Sequence, residues 1–479
     1  MKDSLNSVGI DIGTTTTQLV FSLIEVDNRA GSSSVPRFGI TKREVVYRSN
    51  IYETPLMSDS LINGDELRDI VSKEYSLAGY QPKDIKAGAV IITGEAARKE
   101  NAEILLHSLS DYVGDFVVAS AGSDLEAAIA GKGAGTAELS KRAKRTIANF
   151  DVGGGTTNVA IFKDGELIDT ACLDIGGRLI RIDPRAMRVE YVAPKISELI
   201  RHMGIDLREG HETDMLSLRK VARRMAAFLD EISGFIPRSN ELSYIITSKE
   251  LKNDDKIDCV TFSGGVADAV YNADIDESEL LKYRDIGMIL GQSIRQGILF
   301  NSAEVLIPRE TIRATVIGAG SYSLNVSGST INYTRDIFPL KNVPVTKVNY
   351  NQNIIGPEDI SERISRKTRM YMDESGYQQT AVYISGVSSP NFDEVKRIAG
   401  EVKKGLAEAI KYRDTVIVMS DEDMGKALGF CLRSILGEDT NIVSLDGIYA
   451  EDGDYIDIGR PIGQGRVIPV VIKTLVFGA

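Results

Sequence analysis

The sequence has 479 residues, of which 43% are apolar, and a formal net charge of −12. The length is enough for about two to four domains with cores of their own, and the negative charge argues against a protein that coats DNA or RNA. Three separated cysteines and three histidines without zinc-ligand spacing argue against a disulfide scaffold and a zinc enzyme. No signal peptide or membrane-spanning run is visible, so we expect a cytoplasmic protein without a membrane partner.

Residues 1–145 are predicted to form an α/β lobe that begins with three strands. Short apolar runs predict the strands, and apolar residues at helical spacing predict the helices. The strands are expected at 8–12, 18–26, 44–52, 87–92 and 116–119, and the helices at 64–80, 95–109 and 124–130. This order predicts a mixed sheet with helices on its faces.

The same order restarts in residues 146–335, which are predicted to form a second lobe. Its strands are expected at 146–150, 159–162, 166–173, 258–262 and 312–317. Helices are expected at 192–203, 221–236 and 286–298, with a short one ending at 270. The repeated order indicates that two similar lobes follow each other along the chain.

Residues 336–479 are predicted to form a C-terminal α/β unit. The stretch 342–357 is rich in Asn, Val and Pro and is interpreted as a connection. Beyond it, strands expected at 381–384, 415–419 and 441–445 alternate with helices at 393–410 and 424–436, which predicts a parallel sheet. The acidic run 421–423 is interpreted as a helix start rather than a metal cluster.

Two glycine-rich hairpins are the strongest functional signal. Asp11 and Asp151 each end an apolar run and stand 140 residues apart, and each is followed by glycine and threonine. Glycine lets backbone amides approach an anion, and threonine hydroxyls add donors. The candidate phosphate-binding residues are Gly13, Thr14, Thr15, Gly153, Gly154, Gly155, Thr156 and Thr157. An Asp repels phosphate but can hold hydrated Mg²⁺, so Asp11 and Asp151 are the candidate catalytic and metal-binding residues.

Two further glycine pairs follow predicted strands of the second lobe. Gly264 and Gly265 come after the strand at 258–262, and Gly318 and Gly320 come after the one at 312–317. Each pair is compatible with an ordinary tight turn. Their position opposite the hairpins makes them candidates for contact with the nucleoside of a bound ATP.

Together the two hairpins and the Gly318–Gly320 segment resemble the phosphate and adenosine motifs of the superfamily that contains actin, sugar kinases and heat-shock ATPase chaperones. The resemblance covers about residues 8 to 325. It implies two ribonuclease H-like ATPase lobes with a nucleotide cleft between them, which bind ATP and Mg²⁺. The segment 120–133 falls where that superfamily has a helix that connects the lobes.

Within that superfamily the sequence most resembles the ethanolamine ammonia-lyase reactivating factors. The segments that carry the resemblance are 7–18, 91–95, 115–122, 130–135, 170–173 and 176–179. The family implies an ATP-dependent, chaperone-like partner of ethanolamine ammonia-lyase that releases damaged cobalamin so that intact adenosylcobalamin can bind. The protein would then contact cobalamin only indirectly, through the lyase. Association with a bacterial microcompartment and a homodimeric state are both compatible with the family.

Two other functions stay open at this point. A small-molecule kinase of the same superfamily needs a carboxylate base at the substrate hydroxyl, and no motif assigns one. An actin-like filament needs head-to-tail surfaces that the sequence does not reveal. The residue that orients the attacking water is also unassigned, with Asp124 and Glu126 as candidates, and Glu126 is equally explained as a helix-capping or solvated side chain.

Overall fold

The computed structural model describes residues 3–28, 38–58, 61–93, 96, 100–113, 118–120, 123–247, 250–251, 256–322, 325–327, 331–334, 337–350, 360–373, 376–412, 415–451, 454–462, 465 and 467–473. Over these residues the chain forms three large sheets of six, five and eight strands, with helices packed against them, and three two-stranded sheets. The predicted α/β class, with two lobes and a C-terminal α/β unit, is confirmed. None of the described helices combines the length and the apolar character needed to cross a bilayer.

The first lobe is built on a mixed sheet. Its strands are β1 (Asp3–Ile12), β2 (Thr16–Asn28), β3 (Phe38–Arg48), β4 (Tyr52–Glu53), β5 (Leu56–Ser58), β6 (Leu61–Ile62), β7 (Ile85–Ile92) and β8 (Val118–Ser120). Its helices are α1 (Gly64–Ala78), α2 (Ala102–Val113) and α3 (Ser123–Ala134). The strand order is β3-β2-β1-β7-β8, in which β1, β2 and β3 are antiparallel and β1, β7 and β8 are parallel.

The second lobe repeats this topology. Its strands are β9 (Ile147–Val152), β10 (Thr157–Lys163), β11 (Glu166–Leu173), β12 (Ile180–Asp183), β13 (Arg188–Val192), β14 (Cys259–Ser263) and β15 (Glu304–Val305). Its helices are α4 (Thr136–Ala143), α5 (Pro194–His202), α6 (Met215–Ile232), α7 (Leu242–Ile245), α8 (Ala267–Tyr271), α9 (Gly287–Gln296), α10 (Ile298–Ser302) and α11 (Ala314–Tyr322). The order β11-β10-β9-β14-β15 again joins an antiparallel half to a parallel half.

The C-terminal unit contains a third, larger sheet. Its strands are β16 (Asn325–Ser327), β17 (Asn332–Tyr333), β18 (Leu340–Asn349), β19 (Met372–Asp373), β20 (Gly376–Tyr377), β21 (Ala381–Ser385), β22 (Thr415–Ser420), β23 (Asn441–Asp446), β24 (Tyr455–Ile458) and β25 (Ile468–Lys473). Its helices are α12 (Ile360–Arg369), α13 (Phe392–Gly405) and α14 (Gly425–Leu436). The sheet order is β16-β25-β24-β18-β21-β22-β23-β17; the three predicted parallel strands correspond to β21, β22 and β23, and β18 pairs parallel with β21.

Helices α3 and α11 lie between the two lobes. Ile129 of α3 packs with Ala89 of β7, whereas Ala127 of the same helix packs with Phe162 of β10. Glycines allow the close approach of α11, because a Cβ atom on Gly320 would lie 2.8 Å from the amide nitrogen of Gly9 in β1. The helix predicted to connect the lobes is therefore present as α3, and α11 crosses beside it.

Two secondary-structure predictions are wrong. The segment 312–317 was expected to be a strand, but α11 begins at Ala314, because its small residues pack a helix against α3 and β1. Residues 342–349 were expected to be a connection, but they belong to β18, whose central residues are buried in the third sheet. The register of β18 is irregular between Leu340 and Val343, where Asn342 adopts a positive φ of 54°. The rest of that predicted connection, residues 351–357, lies outside the described residues.

Candidate nucleotide site

The two predicted hairpins share one backbone geometry. The Gly13 amide donates to the carbonyl of Thr16 over 2.9 Å, and the Gly153 amide donates to the carbonyl of Thr156 over the same distance. In each hairpin the Asp faces an amide side chain across the strand pair: Asp11 pairs with Gln18 in β2, and Asp151 pairs with Asn158 in β10. The sequence repeat is therefore also a structural repeat.

The turns of the two hairpins meet at one cavity of about 550 Å³ between the lobes. A Cβ atom on Gly154 would lie only 2.6 Å from the hydroxyl oxygen of Thr15, so the tips of the two turns are in contact. This volume is in the range of small-molecule sites. The predicted residues that line the cavity are Asp11, Gly13, Thr14, Thr15, Asp151, Gly153, Gly154, Gly155, Thr156, Gly264 and Gly265.

Three predicted site residues, Thr157, Gly318 and Gly320, do not line the cavity. Thr157 is fully buried and its hydroxyl donates to the carbonyl of Ile175 over 2.8 Å. This hydrogen bond ties the start of β10 to the segment that follows β11. Gly318 and Gly320 are absent from the lining of this cavity. They lie within α11, where a Cβ atom on Gly318 would overlap the carbonyl oxygen of Ile129 in α3. Their glycine character is explained by helix packing rather than by contact with a nucleoside.

The backbone N–H groups of Gly13 and Gly153 are not available to bind phosphate. Both glycines line the cavity, but their N–H groups close the turns described above. Those N–H groups are therefore already used within the protein, and phosphate donors have to come from elsewhere in the two turns.

Asp11 is held at the end of β1 by a neighbouring strand. The hydroxyl of Thr93, just after β7, donates to one Asp11 carboxylate oxygen over 3.0 Å. Burial raises the pKa of Asp11 from 3.8 to about 7; the Thr93 hydrogen bond opposes this rise and the charge of Asp151 adds to it. The ionised carboxylate is thus disfavoured in the ligand-free protein, and a cation beside it would restore it.

Asp151 occupies the equivalent position in the second lobe. Its carboxylate accepts a hydrogen bond from Ser263 over 2.6 Å and another from Thr315 over 3.2 Å. Ser263 in turn accepts a hydrogen bond from the Asn149 amide over 3.0 Å, so the carboxylate is anchored in the buried sheet. Burial raises the pKa of Asp151, and the two hydroxyl donors oppose that rise.

Glu126 adds a third carboxylate to the cavity. It projects from α3, lines the cavity and is partly buried. Burial raises its pKa well above the usual value, the charges of Asp151 and Asp11 raise it further, and a hydrogen bond with Asn158 acts in the opposite direction. Of the two candidates from the sequence, Glu126 therefore lies at the site, while the side chain of Asp124 lies outside the described residues.

The polar atoms around the carboxylates fit a hydrated cation. The side-chain oxygens of Gln18 and Asn158, which face the two Asp residues, are buried without a hydrogen-bond partner, as is the hydroxyl of Thr15. Such acceptors are satisfied by the water shell that Mg²⁺ keeps when it is bound through one or two carboxylates. Within the part of the chain that is described, no group of three or more His, Cys, Asp or Glu residues is arranged to ligate a metal directly.

Several residues of the site carried no motif of their own. Thr93 follows the strand predicted at 87–92 and lies in a segment that carries the family resemblance, but no role of its own was predicted for it from the sequence. Ser263 was known only as the residue before a glycine pair. Arg178 and Asp285, which form an ion pair of 3.5 Å on the wall beside the second hairpin, are 107 residues apart in sequence and had no signal that joined them.

Comparison with known proteins gives the family. Residues 3–478 match the family model described as ethanolamine utilisation protein EutA. Two curated proteins, the ethanolamine ammonia-lyase reactivases EutA of Salmonella typhimurium strain LT2 and Escherichia coli strain K12, are each 36% identical over 99% of this chain and 98% of their own length. Among solved structures, the Aquifex aeolicus member of the Ppx/GppA family aligns with a TM-score of 0.39 and 14% identity, over 66% of this chain and 97% of that one. The full-length match confirms the family resemblance seen in the sequence, and the chain belongs to the EutA family of ethanolamine utilisation proteins.

Proposed function

We propose that this protein is an ATP-dependent reactivase of ethanolamine ammonia-lyase that releases damaged cobalamin so that intact adenosylcobalamin can bind. The observation that carries the ATP dependence is the pair of facing hairpins, each with a buried Asp opposite an amide side chain. The lyase as partner is supported by the names of the two curated relatives, which match this chain over 99% of its length.

In this proposal the two turns hold the phosphates from opposite lobes. The hydroxyls of Thr14, Thr15 and Thr156 line the cavity where the turns meet. Hydroxyl donors and backbone amides of glycine-rich turns are the groups that bind phosphate oxygens. Gly264 and Gly265 line the same cavity and leave room for the nucleoside.

The carboxylates of Asp11 and Asp151 would hold Mg²⁺ through its water shell, assisted by the oxygens of Gln18 and Asn158. When bound, the ion would neutralise the phosphate charge and favour displacement at phosphorus. The high pKa of Asp11 means that the protein binds the ion best when that carboxyl has lost its proton. This chain therefore couples occupancy of the cleft to deprotonation of Asp11.

In this proposal Glu126 activates the attacking water. In hydrolysis the water oxygen bonds to the γ-phosphorus, and the bond from that phosphorus to the β–γ bridging oxygen breaks, with its electron pair leaving on ADP. The Glu126 carboxylate accepts the proton that the water loses. A base is most effective when its pKa is near the working pH, and burial moves the pKa of Glu126 in that direction.

The fold offers a direct route from hydrolysis to lobe movement. Glu126 is on α3, and α3 packs against both lobes beside α11. Loss of the γ-phosphate removes contacts that join the two turns, so the relative position of the lobes changes with the nucleotide. A surface that binds the lyase in one state and releases it in the other follows from this alternation.

Reactivation of the lyase tests the proposal. Ethanolamine ammonia-lyase loaded with inactive cobalamin is mixed with this protein, ATP, Mg²⁺ and free adenosylcobalamin, and ammonia production and the absorbance of released cobalamin are measured. We expect recovery with the wild type and with Asp164→Asn, a matched control in an exposed turn outside the cavity. We expect loss of recovery with Asp151→Asn. Equal recovery with Asp151→Asn, or without nucleotide, would refute the ATP-dependent mechanism.

A further inference from the structure

The cavity is rich in negative charge. Among the described residues that line it, six are acidic and two are basic. The acidic ones are Asp11, Glu53, Glu126, Asp151, Asp268 and Asp285, and the basic ones are Arg178 and Lys282. A nucleoside triphosphate brings more negative charge, and charge also builds on the phosphoryl oxygens during transfer. A cation supplied by the protein would offset part of this charge.

Of the two cations, Arg178 is the one fixed to the phosphate hairpins. Its amide donates to the carbonyl of Gly154 over 2.7 Å. A Cβ atom on Gly154 would lie 3.6 Å from both Cβ and Cγ of Arg178, on the turn that also touches Thr15. The other cation, Lys282, also lines the cavity, but its ammonium pairs over 3.0 Å with Glu279, three residues away in the chain.

Asp285 orients the Arg178 side chain, but the distance between them is longer than that of a strong hydrogen bond. One Asp285 oxygen accepts a hydrogen bond from the Gly287 amide over 2.8 Å, which fixes the carboxylate at the start of α9. Its other oxygen lies 3.5 Å from the Arg178 Nε atom, longer than the 2.7–2.9 Å typical of a charge-assisted hydrogen bond. The Nε atom is buried and has no hydrogen-bond partner. The guanidinium is thus held beside Asp285 on the wall of the cavity, with 31% of its side chain still exposed.

We propose that Arg178 is a catalytic residue that donates to the terminal phosphate of bound ATP, and that Asp285 is its positioning residue. This inference rests on the proposed ATPase function. While the bond to the water oxygen forms and the bond to the bridging oxygen breaks, charge spreads over the phosphoryl and leaving oxygens. A planar guanidinium can donate two parallel hydrogen bonds to them, which a Lys ammonium cannot do.

Steady-state ATP hydrolysis by purified full-length variants tests the role of Arg178. We expect Arg178→Ala to lower kcat by about 100-fold, as for the loss of one transition-state donor, with KM changed by only a few fold. Arg178→Lys keeps the positive charge but cannot donate two parallel hydrogen bonds. Its kcat should therefore lie between that of the wild type and that of Arg178→Ala. Added guanidinium ion should restore part of the Arg178→Ala activity, a rescue that a purely structural role would not give.

The controls separate this inference from the proposed function. Arg181→Ala removes the same type of side chain three residues further on, where it lies over the Tyr191 ring, outside the cavity lining, and we expect near wild-type kcat. Asp285→Asn should lower kcat by about tenfold, since it loosens Arg178 but leaves it present. If the wild type hydrolyses ATP and Arg178→Ala stays within threefold of it, Arg178 is not catalytic. If the wild type neither binds nor hydrolyses ATP, both proposals fail. If Arg178→Ala does not fold, Arg178→Lys replaces it in the test: a kcat within threefold of the wild type would show that Arg178 is not catalytic.

Discussion

An Asp11→Asn variant should be more stable than the wild type in the absence of ligand, although it should hydrolyse ATP more slowly. Asp11 is partly buried in the cleft, and burial raises the pKa of its carboxyl from 3.8 to about 7. The folded protein therefore disfavours the ionised form of this group. An Asn side chain of the same size carries no such charge and can still accept the hydrogen bond from Thr93.

The size of the effect depends on pH in a defined way. The contribution of Asp11 to stability is fully present below about pH 4, where the carboxyl is protonated in both states, and is lost as pH rises through the folded pKa of about 7. The difference between 3.8 and about 7 corresponds to at most about 4 kcal/mol once both states are ionised. For a lobe of this size that is a shift of roughly 10 °C in Tm.

Thermal unfolding of the ligand-free proteins between about pH 4.5 and 8.5 measures this effect. Because the chain has no Trp, circular dichroism is the suitable signal. The Tm difference between Asp11→Asn and the wild type should grow as pH rises and level off above about pH 7. The Asp164→Asn control should show no such trend. A difference that is flat from pH 5 to 8 would mean that the Asp11 carboxyl is not strained by burial, and the reasoning would fail.

The remaining predictions concern hydrolysis, its product and helix packing. The rate of ATP hydrolysis should fall by at least about tenfold in both Asp11→Asn and Asp151→Asn, a loss of roughly 1.4 kcal/mol or more of transition-state stabilisation. Wild-type rates in both variants would show that these two residues do not hold the metal. The rate should also fall as pH is lowered, since Asp11 and Glu126 must be ionised and burial raises the pKa of both, and Glu126→Gln should remove most of the activity at every pH. Mass spectrometry should find no phosphorylated sugar, glycerol or ethanolamine, and a product formed at the rate of ADP release would favour the kinase instead. Gly318→Ala should destabilise the protein by more than about 1 kcal/mol, because its Cβ overlaps Ile129, whereas Gly400→Ala in α13, with open space around it, should not destabilise it in a melting experiment.

Local sequence determined the parts of the site that short-range geometry controls. A run that ends in Asp, Gly and Thr can fold into a hairpin with the acid near the end of its first strand and the glycine and threonine in the turn. That is why Asp11, Asp151 and the turn residues between each strand pair were found, and why the repeat over 140 residues pointed to two similar lobes. The alternation of strands and helices gave the α/β class for the same reason, since hydrophobic periodicity is a local property.

Tertiary structure alone decided what each of the other residues faces. The segment with Gly318 and Gly320 has the apolar, β-branched character of a strand, yet it is a helix because it fits between α3 and β1. Thr157 shares the threonine motif with Thr156, but alternation along β10 turns its hydroxyl towards Ile175 and away from the cavity. Glu126, Thr93, Arg178 and Asp285 come from four separate segments, and only the packing of the lobes brings them to one cavity. A sequence pattern records neighbours along the chain, whereas burial and charge at this site depend on neighbours across the cleft.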